Sequence, residues 1–259
     1  MHPVLFELGP LTIKSFGVLM LIAFISAAAF AVHRAPRWGI TKQEMLDVSF
    51  WALLGGVLGA RLAYILLNLA HFQENPQELW TLQFQGLTSF GGLIGGAIAL
   101  VIWCRARRVS ILAMLDVAAG PFLLGHIIGR IGCLLNGCCY GMEAPAGYVL
   151  AVRVAGHEHL HHPAQAYDSA LNILMLGGLL VFERKLRPVG QSFALMIMMH
   201  EAVRFLVEFW RRGETAEPLA GLPITQAQAM SLLMIVAALG LFVWRRGGAI
   251  REPATPEAG

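Results

Sequence analysis

The 259-residue chain is 57% hydrophobic and only 14% charged, with a formal net charge of +3 and a mean hydropathy of +0.64. A soluble domain carries about a quarter charged residues, so composition excludes an ordinary water-soluble enzyme. The basic residues are scattered through short segments and form no patch, which argues against a nucleic-acid partner. Four cysteines, Cys104, Cys133, Cys138 and Cys139, are too few for a disulfide scaffold.

In chain order, seven apolar segments can be read: Phe16–Val32, Met45–Leu69, Gly86–Cys104, Ile111–Leu135, Gln165–Phe182, Phe193–Trp210 and Thr225–Trp244. The first lacks the basic start of a signal peptide, having only Lys14, and reads as an uncleaved span. The expected fold is therefore an all-α membrane protein, a bundle of seven transmembrane helices over residues 1–244 with a disordered tail over 245–259. Alternate loops carry Arg34, Arg37 and Lys42; Arg105, Arg107 and Arg108; Arg184, Lys185 and Arg187; and Arg245, Arg246 and Arg251. The other set holds Lys14, Arg153, Arg211 and Arg212. This asymmetry predicts an extracytoplasmic N-terminus and a cytoplasmic C-terminus. Glycine pairs at helix-packing spacing, such as Gly55 and Gly59, Gly91 and Gly95, and Gly125 and Gly129, allow close helix approach in lipid.

Ionisable residues inside such spans are costly and mark functional sites. Arg130 lies roughly 28 Å along its helix from Ile111, Arg61 about 24 Å from Met45, and Arg204 and Glu208 about 17 and 22 Å from Phe193. All four fall in the outer half of the membrane. Glu201, Arg204, Glu208 and Arg211 recur on one helical face, read either as a structural ion pair or as part of a wet site. Arginines at this depth can bind a phosphodiester through bidentate hydrogen bonds. A phospholipid headgroup is the phosphate most available there.

Gly129-Arg130-Ile131-Gly132 with Asn136, Gly137 and Gly141 resembles the signature of the bacterial prolipoprotein diacylglyceryl transferases. Gly59-Ala60-Arg61 with Tyr64, Gly91-Gly92-Leu93-Ile94-Gly95, His162-Pro163 with Gln165 and Tyr167, Arg204-Phe205 with Glu208-Phe209 and Arg211, and Gln228 with Ser231 resemble further motifs of that family, in order. The resemblance implies a multi-pass protein of the bacterial inner membrane. It implies transfer of a diacylglyceryl group from phosphatidylglycerol to the lipobox cysteine of a preprolipoprotein, without a cofactor or metal, at a site facing the extracytoplasmic side. Arg130 would hold the phosphate, Arg204 would stabilise the headgroup or leaving group, and Glu208 would orient Arg204 or move a proton. Arg61, Asn136, His162, Gln165 and Tyr167 would complete substrate binding.

Departures fall at telling positions. The family's usual histidine before the third-span glycines is Phe90, and its first-span aromatic hydroxyl is Phe16. Phenylalanine offers neither donor nor acceptor. His126, one turn before Arg130, is the candidate general base, and His162 is a second candidate or a cap for the fifth span. Cys133, Cys138 and Cys139 replace expected signature residues or follow them. They read as inert turn residues, as a disulfide pair or as reactive thiols beside Arg130; their spacing matches no recognisable zinc motif. The His157–His162 run reads as a solvated loop. A relative with another acceptor, or a non-catalytic phospholipid-binding protein, is the alternative function.

Overall fold

The computed structural model describes residues 4–8, 11–77, 88–145, 147–154, 156–185, 187–211 and 223–248. In chain order the elements are β1 (Val4–Leu8), β2 (Leu11–Lys14), α1 (Ser15–Arg34), α2 (Lys42–Leu67), α3 (Leu69–Glu74), α4 (Ser89–Arg107) and α5 (Ile111–Asn136), then β3 (Val152–Arg153), β4 (Leu160–His161), α6 (Ala164–Phe182), α7 (Gln191–Val207) and α8 (Gln226–Trp244). A helix occupies each of the seven expected places. Six of these stretches are long and apolar enough to cross a membrane; α7 has 17 residues. Residues 86 and 87 of the expected third span, Arg212, Arg251 and the expected tail beyond residue 248 lie outside the described residues.

The described chain is mostly helical, as expected of an all-α membrane protein, with two short additions: β1 pairs antiparallel with β2, and β3 with β4. Two expectations about the sixth span are corrected. The sixth span does not run as one α-helix to Trp210, because α7 tightens into a 3-10 turn over Glu208–Trp210. Its start also moves back to Gln191. There Asp116 of α5 accepts from the backbone N–H groups of Gly190 at 2.6 Å and Phe193 at 2.8 Å. A carboxylate from another helix thus satisfies the open amides of this N-terminus.

The chain divides into two compact units, residues 35–114 and residues 1–34 with 115–252. In the first, α2 opens with a capping box: the Thr41 hydroxyl accepts from Glu44 N–H at 3.2 Å, and the Glu44 carboxylate accepts from Thr41 N–H at 2.8 Å. α2 and α4 pack through glycine. A Cβ on Gly59 would strike the Gly91 carbonyl, and one on Gly95 the Gly55 carbonyl. Their outward rows, Phe50, Leu54, Leu58 and Leu62 on α2 and Phe90, Ile94, Ile98 and Ile102 on α4, are exposed apolar side chains, a surface suited to lipid.

In the other unit α1 lies on the glycine face of α5, where Gly125 faces Ala27, Gly129 faces Met20 and Gly132 faces Leu19 and Phe16. Ala119, Leu123, Leu179 and Met196 form one buried cluster between α5, α6 and α7. Ala164, Val203 and Val207 form a second, at the other end of α6 and α7. α8 begins with a Thr225–Gln228 capping box, and Ser231 donates to Glu201 at 2.8 Å. Glu201 is therefore held against α8 and does not pair within the charged stripe expected along α7.

Candidate active site

Gln165, Asp168, Ser169 and Asn172 recur at i, i+3, i+4 and i+7 on α6, and all four are buried. Asp168 is the centre. Its Oδ2 lies 2.6 Å from Arg130 Nε, its Oδ1 lies 3.1 Å from His126 Nε2, and Oδ1 also accepts from Asn172 Nδ2 at 2.7 Å. On α7, His200 Nδ1 stands 3.0 Å from Asn172 Oδ1, and its ring meets His126 edge-on at 4.6 Å. Two helices, α6 and α7, thus fix Arg130 and His126 of α5. Arg130 Nε is also 3.4 Å from His126 Nε2. A neutral imidazole can present Nε2 to Arg130 as an acceptor or to Asp168 as a donor, so this nitrogen sits where a proton can be held or released.

Beside Arg130 a groove of about 200 Å³ lies between α5 and α6, lined largely by apolar atoms of Ile131, Leu134, Ala166, Ala170 and Ile173, with Gln165 and Ser169 also on its wall. Gln165 is buried; its Nε2 donates to the Cys138 carbonyl at 2.5 Å, and its Oε1 has no partner among the described residues. A buried acceptor without a partner is costly to a fold and is met by a ligand or water.

At its C-terminal end α5 closes in a tight turn that gathers the cysteines. Gly137 N–H donates to Leu134 O and Cys138 N–H to Cys133 O, the paired bonds of a Schellman turn, with Gly137 at φ 75° as its left-handed residue. Cys139 is also left-handed at φ 64°. The turn folds Cys138 back over Cys133, and Cys139 swings its thiol to the same point, so that the three Sγ atoms lie within 4.8 Å of one another. All three thiols are free. Donation from the Cys133 and Cys138 thiols, with the nearby Arg130 and Arg211 cations, pulls Cys139 below the ordinary thiol range, while the same bonds hold the proton on Cys133. The chain then passes Gly141, where any Cβ would strike Trp210 O, and pairs with Arg211.

At the end of α7, Arg204 Nη1 donates to Glu208 Oε2 at 2.7 Å, and Arg211 Nε lies 3.8 Å from the same oxygen. Glu208 is buried, and its Oε1 has no partner among the described residues. Burial first, then the charges of Arg204 and Arg130, lower the proton affinity of Arg211. His162 Nδ1 stands 3.0 Å from Tyr167 OH, which is 2.8 Å from Tyr148 OH. Asn136 is the last residue of α5, half-buried at the Schellman turn.

Two local expectations are corrected. His162 does not cap α6: Pro163 holds the N-cap position and no side chain bonds there. The His157–His162 run is only half solvated. His157, Glu158, His159 and Leu160 are exposed, whereas His161, at the end of β4, and His162 after it are buried where the chain closes over Gly141. Arg61 belongs to the other unit, where its guanidinium lies over the Tyr64 and Phe72 rings at 5.9 and 5.5 Å. Asp168, Asn172 and His200 were not expected as site residues.

Residues 3–244 match the family model of the prolipoprotein diacylglyceryl transferases. The chain belongs to this family. A phosphatidylglycerol–prolipoprotein diacylglyceryl transferase of Clostridium tetani is 31% identical over 250 residues, covering 94% of this chain and 97% of the relative. Proteins of the same name from Pseudoalteromonas translucida and Bordetella bronchiseptica are 32% and 31% identical, over 97% and 93% of this chain and 96% and 94% of theirs. As a prolipoprotein diacylglyceryl transferase family member the chain is a transferase of lipoprotein biogenesis, and its departures gain a structural setting. Phe90, in the place of the family's usual histidine, is 82% exposed. The signature residues Arg130, Gly137 and Gly141 hold an ion pair, a left-handed turn and a close backbone crossing.

Proposed function

We propose that this protein transfers the diacylglyceryl group of phosphatidylglycerol to the lipobox cysteine of preprolipoproteins, from the extracytoplasmic side of a bacterial inner membrane. The reading takes residues 1–244 as one domain, with α7 as a seventh span and the N-terminus outside. The observation that carries it is the groove between α5 and α6. Arg130 and Gln165 line it among largely apolar walls, a setting in which an acyl chain can lie beside a phosphate ligand.

In this mechanism Asp168 holds Arg130 through Nε, and the remaining guanidinium N–H groups bind the phosphate. Arg204, oriented by Glu208, offsets negative charge on the leaving glycerol phosphate. The acceptor sulfur attacks the glyceryl carbon, an S–C bond forms, and the C–O bond to phosphate breaks with its electron pair leaving on oxygen. His126 is placed by Asp168 to take part in proton transfer. Asn136, His162, Gln165 and Tyr167 are assigned to substrate binding.

The test is complementation in cells depleted of their own transferase, with lipoprotein modification followed by mass. Wild-type protein is expected to restore it, and Arg130→Ala and Arg204→Ala to fail. Failure of wild-type protein inserted in the membrane would favour the alternative that Phe90 suggests, a phospholipid-binding relative without this transfer.

A further inference from the structure

Alkylating a thiol needs a thiolate, and at the usual family position for a base this chain has only the exposed Phe90. Three other thiols stand elsewhere in the molecule in an arrangement that bears on this need. Spacing alone argued against a metal here, since Cys138 and Cys139 are adjacent. The fold removes that objection. The Schellman turn bonds Cys138 N–H to Cys133 O, and the left-handed Cys139 directs its side chain back toward its neighbours. The three Sγ atoms lie within 4.8 Å of one another. A zinc–sulfur bond of about 2.3 Å places the sulfurs of a tetrahedral site about 3.8 Å apart, so rotation of the thiols alone can close the cluster on an ion.

The surroundings suit such a site. Thiolates around a divalent ion carry excess negative charge, and the Arg130 and Arg211 cations are close enough to act on Cys139 electrostatically. Cys133 is three residues after Arg130 and shares its helix face. Gln165, which lines the groove beside Arg130, holds the Cys138 carbonyl. Three protein ligands leave a fourth tetrahedral position, the open coordination of a working zinc site rather than a closed structural one.

We propose that Cys133, Cys138 and Cys139 bind a thiophilic d10 cation, zinc by preference, whose open position takes the acceptor thiol beside the phosphate held by Arg130. This rests on the transferase reading. The acceptor S–H loses its proton to water on coordination, since Cys139 is exposed. The metal-bound sulfur attacks the glyceryl carbon, and the phosphate ester departs with the C–O electron pair. The thioether formed is a poor ligand and leaves, so the position reopens without any change of oxidation state.

The test uses the full chain in nanodiscs, loaded with Zn²⁺ or with Co²⁺ as a spectroscopic probe. One Zn²⁺ per chain is expected, protecting all three thiols from maleimide. The Co²⁺ form should show tetrahedral thiolate bands that shift on adding a lipobox peptide with cysteine but not its serine analogue. Cys133→Ser should weaken retention by about a hundredfold or more, beyond what loss of an outer-shell group costs. Maleimide protection in native membranes keeps the test open should that variant misfold. Metal uptake and a peptide response without transfer from phosphatidylglycerol would support the site and sink the donor assignment. Undiminished transfer in the chelated protein and in the triple Cys→Ser variant would overturn the site and leave the transferase reading standing. So would thiols that label only after reduction and still take up no metal.

Discussion

Without the Asp168 carboxylate, Arg130 and His126 would face each other across 3.4 Å with no anion between them. Removing one partner from a buried ion pair costs about 3–5 kcal/mol, so Asp168→Ala should lower the unfolding temperature as well as abolish transfer. Asp168→Asn is the sharper variant: its shape is kept, but an amide N–H₂ cannot accept from both Arg130 and Asn172 as the carboxylate does. Its kcat should fall by about a hundredfold or more, the scale of a lost positioned group, with a smaller loss of stability. Ser169→Ala, which removes a hydroxyl bond to Ile127 O at 3.1 Å on the groove wall, should cost about 1 kcal/mol and lower kcat far less than Asp168→Asn. Wild-type turnover in Asp168→Asn would remove this residue from the site. Arg130, Arg204 and Glu208 were legible in the sequence because charge in an apolar span is conspicuous. Asp168 was legible in principle through the polar i, i+3, i+4, i+7 spacing of Gln165, Asp168, Ser169 and Asn172 on α6. His200 was not, since its bond to Asn172 spans 28 residues and no local pattern announces it.

Helix positions were readable from apolar runs alone, but helix ends depend on groups far along the chain. The start of α7 is set by Asp116, 77 residues before Phe193; its charge is as conspicuous in an apolar span as that of Arg130, but no local pattern names the distant amides it meets. Asp116→Ala should therefore destabilise the protein by roughly 1–2 kcal/mol, as loss of an N-cap does, measured by thermal unfolding in detergent. An unchanged midpoint would show that the carboxylate is not needed there. The glycine pairs were read as packing sites from spacing. The structure adds which of them are tight: a Cβ on Gly59 meets backbone of α4, whereas one on Gly177 meets nothing within 4 Å. Backbone cannot rotate away as a side chain can, so Gly59→Val should separate α2 from α4 and reduce folded yield severely. Gly177→Ala should be neutral in the same monodispersity assay. Equal yields from both would refute the close-packing account.

At the scale of the whole molecule, orientation rests on charge rather than on contacts. The loops that carry Arg105, Arg107 and Arg108, and Arg184, Lys185 and Arg187, alternate with loops nearly empty of cations, and by the positive-inside rule the proposed orientation keeps the positive set in the cytoplasm. The proposed site follows from the same assignment, since Arg130, Arg204, Glu208 and the cysteine turn all lie toward the other ends of their helices. Membrane-impermeant maleimide tests the two together. In a variant with its own four cysteines replaced, Glu158→Cys should label in intact spheroplasts, because Glu158 is exposed on the loop between α5 and α6. Arg107→Cys, exposed at the end of α4, should label only after the membrane is opened. Protection of Glu158→Cys with labelling of Arg107→Cys would turn the molecule over. Arg130 and its groove would then face the cytoplasm, away from any acceptor cysteine presented at the outer surface, and the transfer assigned to them would have no substrate within reach.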